Sequence, residues 1–552
     1  MTLHPIEQWT IPPETVEVAQ AAFPKGNVYV KIYEQLGQIY IDSDFQHLYP
    51  ARCGQLALSP ARLALITVMQ FAEGLSDRQT AEAVRSRIDW KYVLGLALKD
   101  SGFDYSVLRE FRERLISQDS SGQLLSQILA QLKEKKLLKS RGRQRTDSSH
   151  MLAAIRQVNR LELVGETLRH ALNELATVAP LWLKAQVTSD WFDRYGARFE
   201  QYRLPTQKKA KEELALTIGA DGHYILSAIY EDFGQGHLLE LTSVEILRQV
   251  WIQQYAFIEG KLVWRDPKTT GLPPNKSSIE SPYDPEARNR TKRNINWTGY
   301  TVHLTETCEE NSPNLITNVE TTPATTPDGA MTQTIHSHLA KKDLLPAQHL
   351  VDMAYVDAEH LVTAQNKYEV DLLGKVPGDS SWQAKENQGF DLSNFAIDWK
   401  NQQVKCPTGQ LSQAWRERKD DYGNEMIEVR FNRAQCAACP VRSLCTRAKR
   451  EPRLLKFRLL EQHEALQAAR VRQTTDEFKR EYALRAGVEG TISQGVRTFN
   501  LRRTRYIGQA KTHLQNIVLA AAMNLSRLVA WWQEIPKQKT RMSTFTSLNE
   551  TA

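Results

Sequence analysis

The stretch YALRAGVEG places Tyr482, Arg485 and Glu489 at i, i+3 and i+7. On an α-helix Arg485 and Glu489 differ by roughly 40° around the axis, and Tyr482 and Glu489 by about 20°. Phenol, guanidinium and carboxylate then face one way. Such a face can hold a metal ion at the carboxylate and a phosphate at the guanidinium, whose planar fork binds two oxygens. An exposed i,i+4 Arg–Glu pair worth roughly 0.3 kcal/mol has the same spacing. Two further acids stand out. Asp352 follows QHLV, a run suited to a central strand, whose C-terminal end is where side chains leave a sheet and meet a ligand crevice. Asp147 can take a similar place, although its surroundings, GRQRTDSSHML, are polar throughout and make a poor strand by composition. Three carboxylates brought together can hold two divalent cations about 4 Å apart, an arrangement that activates a hydroxyl nucleophile and stabilises the leaving oxygen of a phosphoryl transfer. Mg²⁺ takes such oxygen ligands. Crowded without a cation, the same carboxylates repel and raise one another's pKa.

The elements that must carry these residues can be read from periodicity. The first fifty residues contain several prolines and no sustained period, which predicts an irregular arm. SPARLALITVMQFAEG opens with Ser and Pro, a cap and first-turn pair, and ends at Gly74. LSDRQTAEAVRSRIDW follows, with Ser76 and Gln79 at capping-box spacing. Two helices joined by a glycine turn suit a DNA-binding helix-turn-helix and suit any helical bundle equally. Helical patterning continues to about residue 140 and again over 151–260, where LALTIGADGHYILSAIY reads as a strand-like interruption. DPKTTGLPPNKSSIESPYDPEARNR is loop-like. After it the period becomes two. GYTVHLTET alternates as a half-buried strand does, NLITNVETT is a second strand, AQHLVDMAY a buried strand ending at Asp352, and EVDLLGKVP a short one. Strand, strand, helix, strand, helix, strand is an α/β order with mixed pairing. Two long helices, about 461–496 and 506–533, are expected last, the second with Leu514, Ile517, Ala521, Leu525 and Leu528 on a buried stripe.

Bulk properties narrow the classes. With 552 residues and 41% hydrophobic content the chain can bury two or three cores. It has no run of about 18 apolar residues, so a membrane span is not expected. It opens without a signal-peptide pattern, which makes the cytoplasm the default location. The net charge of +7 is mild, yet KEKKLLKSRGRQR and RTFNLRRTRYIGQAK are densely basic, as suits either a polyanion or a solvated face. Cys406, Cys436, Cys439 and Cys445 run as C-x29-C-x2-C-x5-C. Four thiolates fit tetrahedral zinc; an iron–sulfur cluster or a redox pair fits the count as well.

The acidic and aromatic motifs together resemble those of bacterial insertion-sequence DDE transposases. YALRAGVEG matches their Y-x2-R-x3-E signature. LVDMAYVDAEHL is similar to the second-aspartate motif, with Asp352 and Tyr355, and TDSSHMLA to the first, with Asp147. SPYDPEARNR…WTGYTVHLTET resembles the lead into the second core strand, and SPARLALITVMQFAEGLSDRQTAEAVRSRIDWKYVLGL the helical N-terminal domain. The likeness runs from about residue 45 to 535. Two departures exist: the family's lysine seven residues after the glutamate is Val496 here, with Arg497 one further on, and Ser148 and Ser149 follow the first aspartate. Asp357 and Glu359 are runners-up to Asp352; Asp284 and Asp328 read as turn or capping residues.

The resemblance implies an α/β RNase H-like mixed-sheet core over 141–535, interrupted by a helical insertion (about 151–260) and a cysteine-bearing one (about 380–450). An all-helical N-terminal domain (1–140) for DNA binding and assembly would precede it, and a flexible tail (536–552) would follow. It implies cutting of element ends and joining of the 3′-OH to target DNA, with Asp147, Asp352 and Glu489 holding Mg²⁺ or Mn²⁺. DNA contacts would come from Tyr482, Arg485, Arg497, Arg502, Arg503 and Arg505. The partners implied are double-stranded DNA, as terminal inverted repeats and target, and a second copy in a homodimer, at the nucleoid. The cysteine pattern recurs in the same group, which points to a shared structural purpose such as zinc. A catalytically inactive end-binding regulator and a metal-dependent nuclease without strand transfer are the alternatives.

Overall fold

The polar segment around Asp147 is the central strand of the molecule. In the computed structural model, which describes residues 1–49, 54–292, 294–421 and 423–536, β1 (Arg143–Leu152) lies between β2 (Ile295–Thr307), antiparallel to it, and β4 (Gln348–Val351), parallel to it. β3 (Ile316–Pro323) pairs antiparallel with the other side of β2, and β5 (Asp371–Leu373) runs parallel to β4. A short edge strand, Arg288–Lys292, completes a six-stranded sheet by forming a hairpin with the start of β2. The order β3-β2-β1-β4-β5, three antiparallel strands followed by two parallel ones, is that of an RNase H-like core.

Composition undersold β1 because its polar side chains are paired rather than solvated. Thr146 Oγ1 shares hydrogen bonds with Thr305 Oγ1 and His349 Nε2, each at 2.7 Å, and Gln144 donates to Leu344 O at 2.8 Å and accepts from Thr317 Oγ1. A buried polar group whose partners are all present costs little. The expectation of a half-buried β2 is corrected for the same reason: residues 297–307 are buried without interruption, since helices cover both faces and the alternation marks polar residues that find partners inside.

Three other expectations change. The first fifty residues form helices at Pro13–Ala22 and Val28–Leu36 and a 3-10 turn at Asp42–Leu48. Pro13 opens the first of these helices, the position where a missing N–H costs nothing; Asp42 is fully buried and accepts from Ile6 N, Ser59 Oγ and Ala61 N. The strand-like LALTIGADGHYILSAIY lies inside the helix Lys208–Glu231. Its buried residues recur at three and four, and Gly219 and Gly222 admit the rings of Tyr255 and Trp251: a Cβ would meet them at 2.4 and 2.1 Å. The single helix expected over 461–496 is three helices, Leu460–Arg472, α3 (Asp476–Ala483) and α4 (Gly487–Phe499). Thr475 caps α3, and a 3-10 turn, Leu484–Ala486, separates α3 from α4.

The remaining helices follow their signals. In α1 (Pro60–Glu73) Ser59 caps the start, Gly74 ends it with φ of 71°, and the capping box of Ser76 and Gln79 opens α2 (Asp77–Ser86). α5 (Gln509–Trp532) buries Leu514, Ile517, Ala521, Leu525 and Leu528. It packs on β3 and on α1, so the N-terminal helices and the sheet share one apolar core. Residues Arg160–Gln254 are helical with a core of their own, and a three-stranded sheet of Ala414–Lys419, Glu425–Arg430 and Leu454–Phe457 surrounds a third, beside the cysteines. Among the described residues no helix is long and apolar enough to cross a membrane. Cys53 and all but the first residue of the expected tail lie outside the described residues.

Candidate active site

Thr146 of β1 pairs with Val351 of β4 in the parallel ladder, so the next residue on each strand, Asp147 and Asp352, are neighbours across a spacing of about 4.8 Å. Each carboxylate has one oxygen held by the following amide: Ser148 N donates to Asp147 Oδ1 and Met353 N to Asp352 Oδ1, both at 2.7 Å. The other oxygens turn to a common atom. Arg485 Nη2 lies 3.3 Å from Asp147 Oδ2 and 3.7 Å from Asp352 Oδ2, while Nη1 lies 3.6 Å from Glu489 Oε1. Residues 147, 352 and 489 thus converge on one guanidinium. Asp147 ends β1's buried half with its side chain 16% exposed, Asp352 is 38% exposed, and Glu489, in the first turn of α4, stands at the rim at 70%. Burial pushes the Asp147 carboxyl above its ordinary range, opposed by Arg485 and the Ser148 amide and reinforced by the charges of Asp352 and Asp328.

What aims Arg485 is a buried ion network that the sequence did not reveal. Arg145, two residues before Asp147, pairs with Glu306 of β2 through Nε and Nη2, both at 2.7 Å. Glu306 also pairs with Arg527 of α5 at 2.8 Å and accepts from Thr491 Oγ1 of α4. Arg145 Nη1 then donates to Leu484 O, the carbonyl just before Arg485. Gly487 lies so close to this guanidinium that a Cβ would come within 2.0 Å of it, which explains a glycine where α4 begins. One carboxylate therefore joins β1, β2, α4 and α5 directly beneath the acids. The available signal was a charged residue in the middle of a strand flanked by buried positions.

The other expected residues divide. Tyr482 stacks on Phe478 at 5.2 Å, with Lys375 over its ring at 5.6 Å, and burial raises its phenol's pKa. Arg497 and Arg503 are exposed, and Arg502 donates to Ser149 Oγ at 3.2 Å. Arg505 is turned elsewhere: it donates to Leu75 O at 2.8 Å and stacks over Phe71 at 5.0 Å, gripping the α1–α2 turn. Val496 is partly buried against the main core. Asp357 caps the helix Ala358–Tyr368 and pairs with His360, and Glu359 accepts from Gln333, so neither runner-up joins the site. Asp284 is a buried turn residue accepting from Tyr300 Oη. Asp328, read as a turn residue, does begin a 3-10 turn, but its carboxylate accepts from Ser148 Oγ at 3.1 Å and pairs with Lys292 at 3.1 Å, which attaches it to the acid group. The thiols of Cys406, Cys436, Cys439 and Cys445 line one small pocket with Arg442 and Arg453, unpaired, and burial pushes Cys445 up to about 11. Among the described residues no three or more of His, Cys, Asp and Glu are gathered as a ready-made metal cage; at the acids, Arg485 stands between them.

Two segments of the chain match known families: residues 405–529 match the transposase DDE domain, and residues 17–114 a transposase domain of the DUF772 type. Both matches support an insertion-sequence DDE transposase. The DDE match contains Tyr482, Arg485 and Glu489, and the second match contains α1 and α2; Asp147 and Asp352 fall outside both. No curated protein and no solved structure matches the chain.

The network beneath the site has a measurable consequence. Glu306→Gln leaves Arg145 and Arg527 buried with their charge uncompensated. Urea unfolding should show a loss of about 3 kcal/mol; a loss under about 1 kcal/mol would show that the network does not hold the sheet to α4 and α5.

Proposed function

We propose that this transposase cuts the ends of its element and joins the freed 3′-OH to target DNA, with Asp147, Asp352 and Glu489 as the catalytic acids. The observation that supports this most is the convergence of two carboxylate oxygens from adjacent strands, and a third from the rim, on a single side chain. The donors are all carboxylate oxygens, the ligand type that Mg²⁺ or Mn²⁺ takes. Bound there, divalent cations would supply nucleophile activation and stabilisation of the leaving oxygen.

The chain's own residues do the positioning. The Ser148 and Met353 amides orient the two aspartates, leaving Oδ2 of each directed inward. Three carboxylates against one guanidinium leave the site negative, which would favour divalent cations held by Asp147, Asp352 and Glu489. Arg485, now the counter-charge to the three acids, carries a planar fork suited to a DNA phosphate. Exposed Arg497, Arg502 and Arg503 extend positive charge from α4 along the end of β1, where Leu152 bridges to Arg503, a path for double-stranded DNA. The work of cutting two element ends together calls for a homodimer. In the cysteine-bearing region Cys406, Cys436, Cys439 and Cys445 line one pocket and are of the ligand type that a structural zinc would take, although they are not gathered as a metal cage in this structure.

Labelled element ends incubated with the protein and Mg²⁺ test the assignment. Wild-type protein should cut and join; binding alone would mark an inactive regulator, and cutting without joining a nuclease. Asp352→Asn should keep DNA affinity and reduce cleavage below detection, and continued cutting by this variant would remove Asp352 from the catalytic set. For the cysteines, elemental analysis of purified protein should find stoichiometric zinc that Cys439→Ser loses, together with a lower melting temperature. Metal-free wild-type protein with an unchanged melting temperature in the variant would refute the zinc site.

A further inference from the structure

Asp328 and Lys292 sit against the acid group but belong to no transposase motif identified above. Asp328 is buried, its side chain 4% exposed, and both its oxygens are used: Oδ1 by Ser148 Oγ and Oδ2 by the Lys292 ammonium. The turn it opens is locked to the Asp352 turn. A Cβ on Gly329 would meet Ala354 O at 2.9 Å, and Thr332 Oγ1 donates to Tyr355 O at 2.8 Å. Lys292 arrives from the other side, at the end of the edge strand Arg288–Lys292. Arg290 Nη1 donates to Ala324 O and Thr326 O, at 2.9 and 3.1 Å, and so holds that hairpin against the loop leading to Asp328. The ammonium is therefore placed by two elements, not left to wander on a free side chain.

The two cations at the acid group differ in what they can offer. Arg485 is 13% exposed and spreads its charge over three carboxylates. Lys292 is 46% exposed and spends one of its three N–H donors on Asp328. A DNA phosphate cannot approach a group of carboxylates without positive charge at its edge, and a lysine ammonium serves as a point charge for phosphate. We propose that Lys292 is a phosphate contact for the DNA strand entering the acid site, and that Asp328 is a positioning residue that holds Lys292 there and is not itself a metal ligand. This rests on the reading of Asp147, Asp352 and Glu489 as the site of DNA cleavage.

The test is a double-mutant cycle on the full-length protein with labelled element ends. It measures binding across a salt series, single-turnover cleavage across a Mg²⁺ series, and thermal melting of every variant. Lys292→Gln should weaken binding to all sequences alike and reduce the salt slope by about 1. It should also slow cleavage, with melting unchanged, while Lys292→Arg restores both. Asp328→Asn should act in the same direction and add little on top of Lys292→Gln, because the two residues act as one unit. A wild-type salt slope and cleavage rate in Lys292→Gln would overturn the phosphate contact. An Asp328→Asn effect that adds fully to Lys292→Gln, together with a raised Mg²⁺ requirement, would overturn the positioning role and make Asp328 a ligand. Failure of the parent reading looks different: wild-type protein that does not cut, or Asp352→Asn that still does.

Discussion

A single buried carboxylate, Glu306, sets the geometry on which the site depends. Its side chain is fully buried and carries two guanidinium partners, from β1 and α5, and a hydroxyl from α4. Taking charges out of water costs several kcal/mol each, and that cost is recovered only where the partners are close and the lone pairs are filled. Here they are. What results is less a gain in stability than a fixed register. Arg145 cannot pair with Glu306 and cap Leu484 O unless the strand bearing Asp147 and the turn bearing Arg485 are in one relative position. Glu489 lies one helical turn beyond Arg485, so the same contact sets the rim.

Above this network the site itself is held under electrostatic tension. Asp147 is buried beside Asp352 and Asp328, and its carboxyl is correspondingly raised. Arg485 relieves the repulsion by standing between the acids. A guanidinium is a weak substitute for divalent cations, which carry twice the charge in a smaller volume and accept oxygen ligands from all sides. On the proposed function, cation binding at the acids would also free Arg485 for phosphate. Lys292, tied back by Asp328, supplies a second positive group at the edge without entering the centre.

Much of this was legible in the chain. The QHLV run before Asp352, the capped starts of α1 and α2 and the buried stripe of α5 follow from local patterns that the folded molecule keeps, whereas the single helix assumed for Tyr482, Arg485 and Glu489 is divided among α3, a 3-10 turn and α4. What escaped depends on partners distant in sequence. β1 looks like a loop until Thr305, His349 and Glu306 are placed beside it. The strand-like stretch within Lys208–Glu231 becomes helical because two glycines meet aromatic rings some thirty residues on. Arg505 lies in a basic run that suggests DNA, yet it grips the turn between α1 and α2. Asp328 passes for a turn residue until the hairpin carrying Lys292 is seen against it. Local period reports which face is covered, and only tertiary pairing decides which polar groups can be buried.

The central claim is that residues from β1, the end of β4 and α4 share divalent cations. The most direct measurement is anomalous diffraction from crystals of the protein with an element end and Mn²⁺. The account predicts manganese density held by Asp147, Asp352 and Glu489, with Arg485 moved onto a DNA phosphate. Manganese bound elsewhere, or Arg485 still wedged between the three acids with DNA in place, would contradict it.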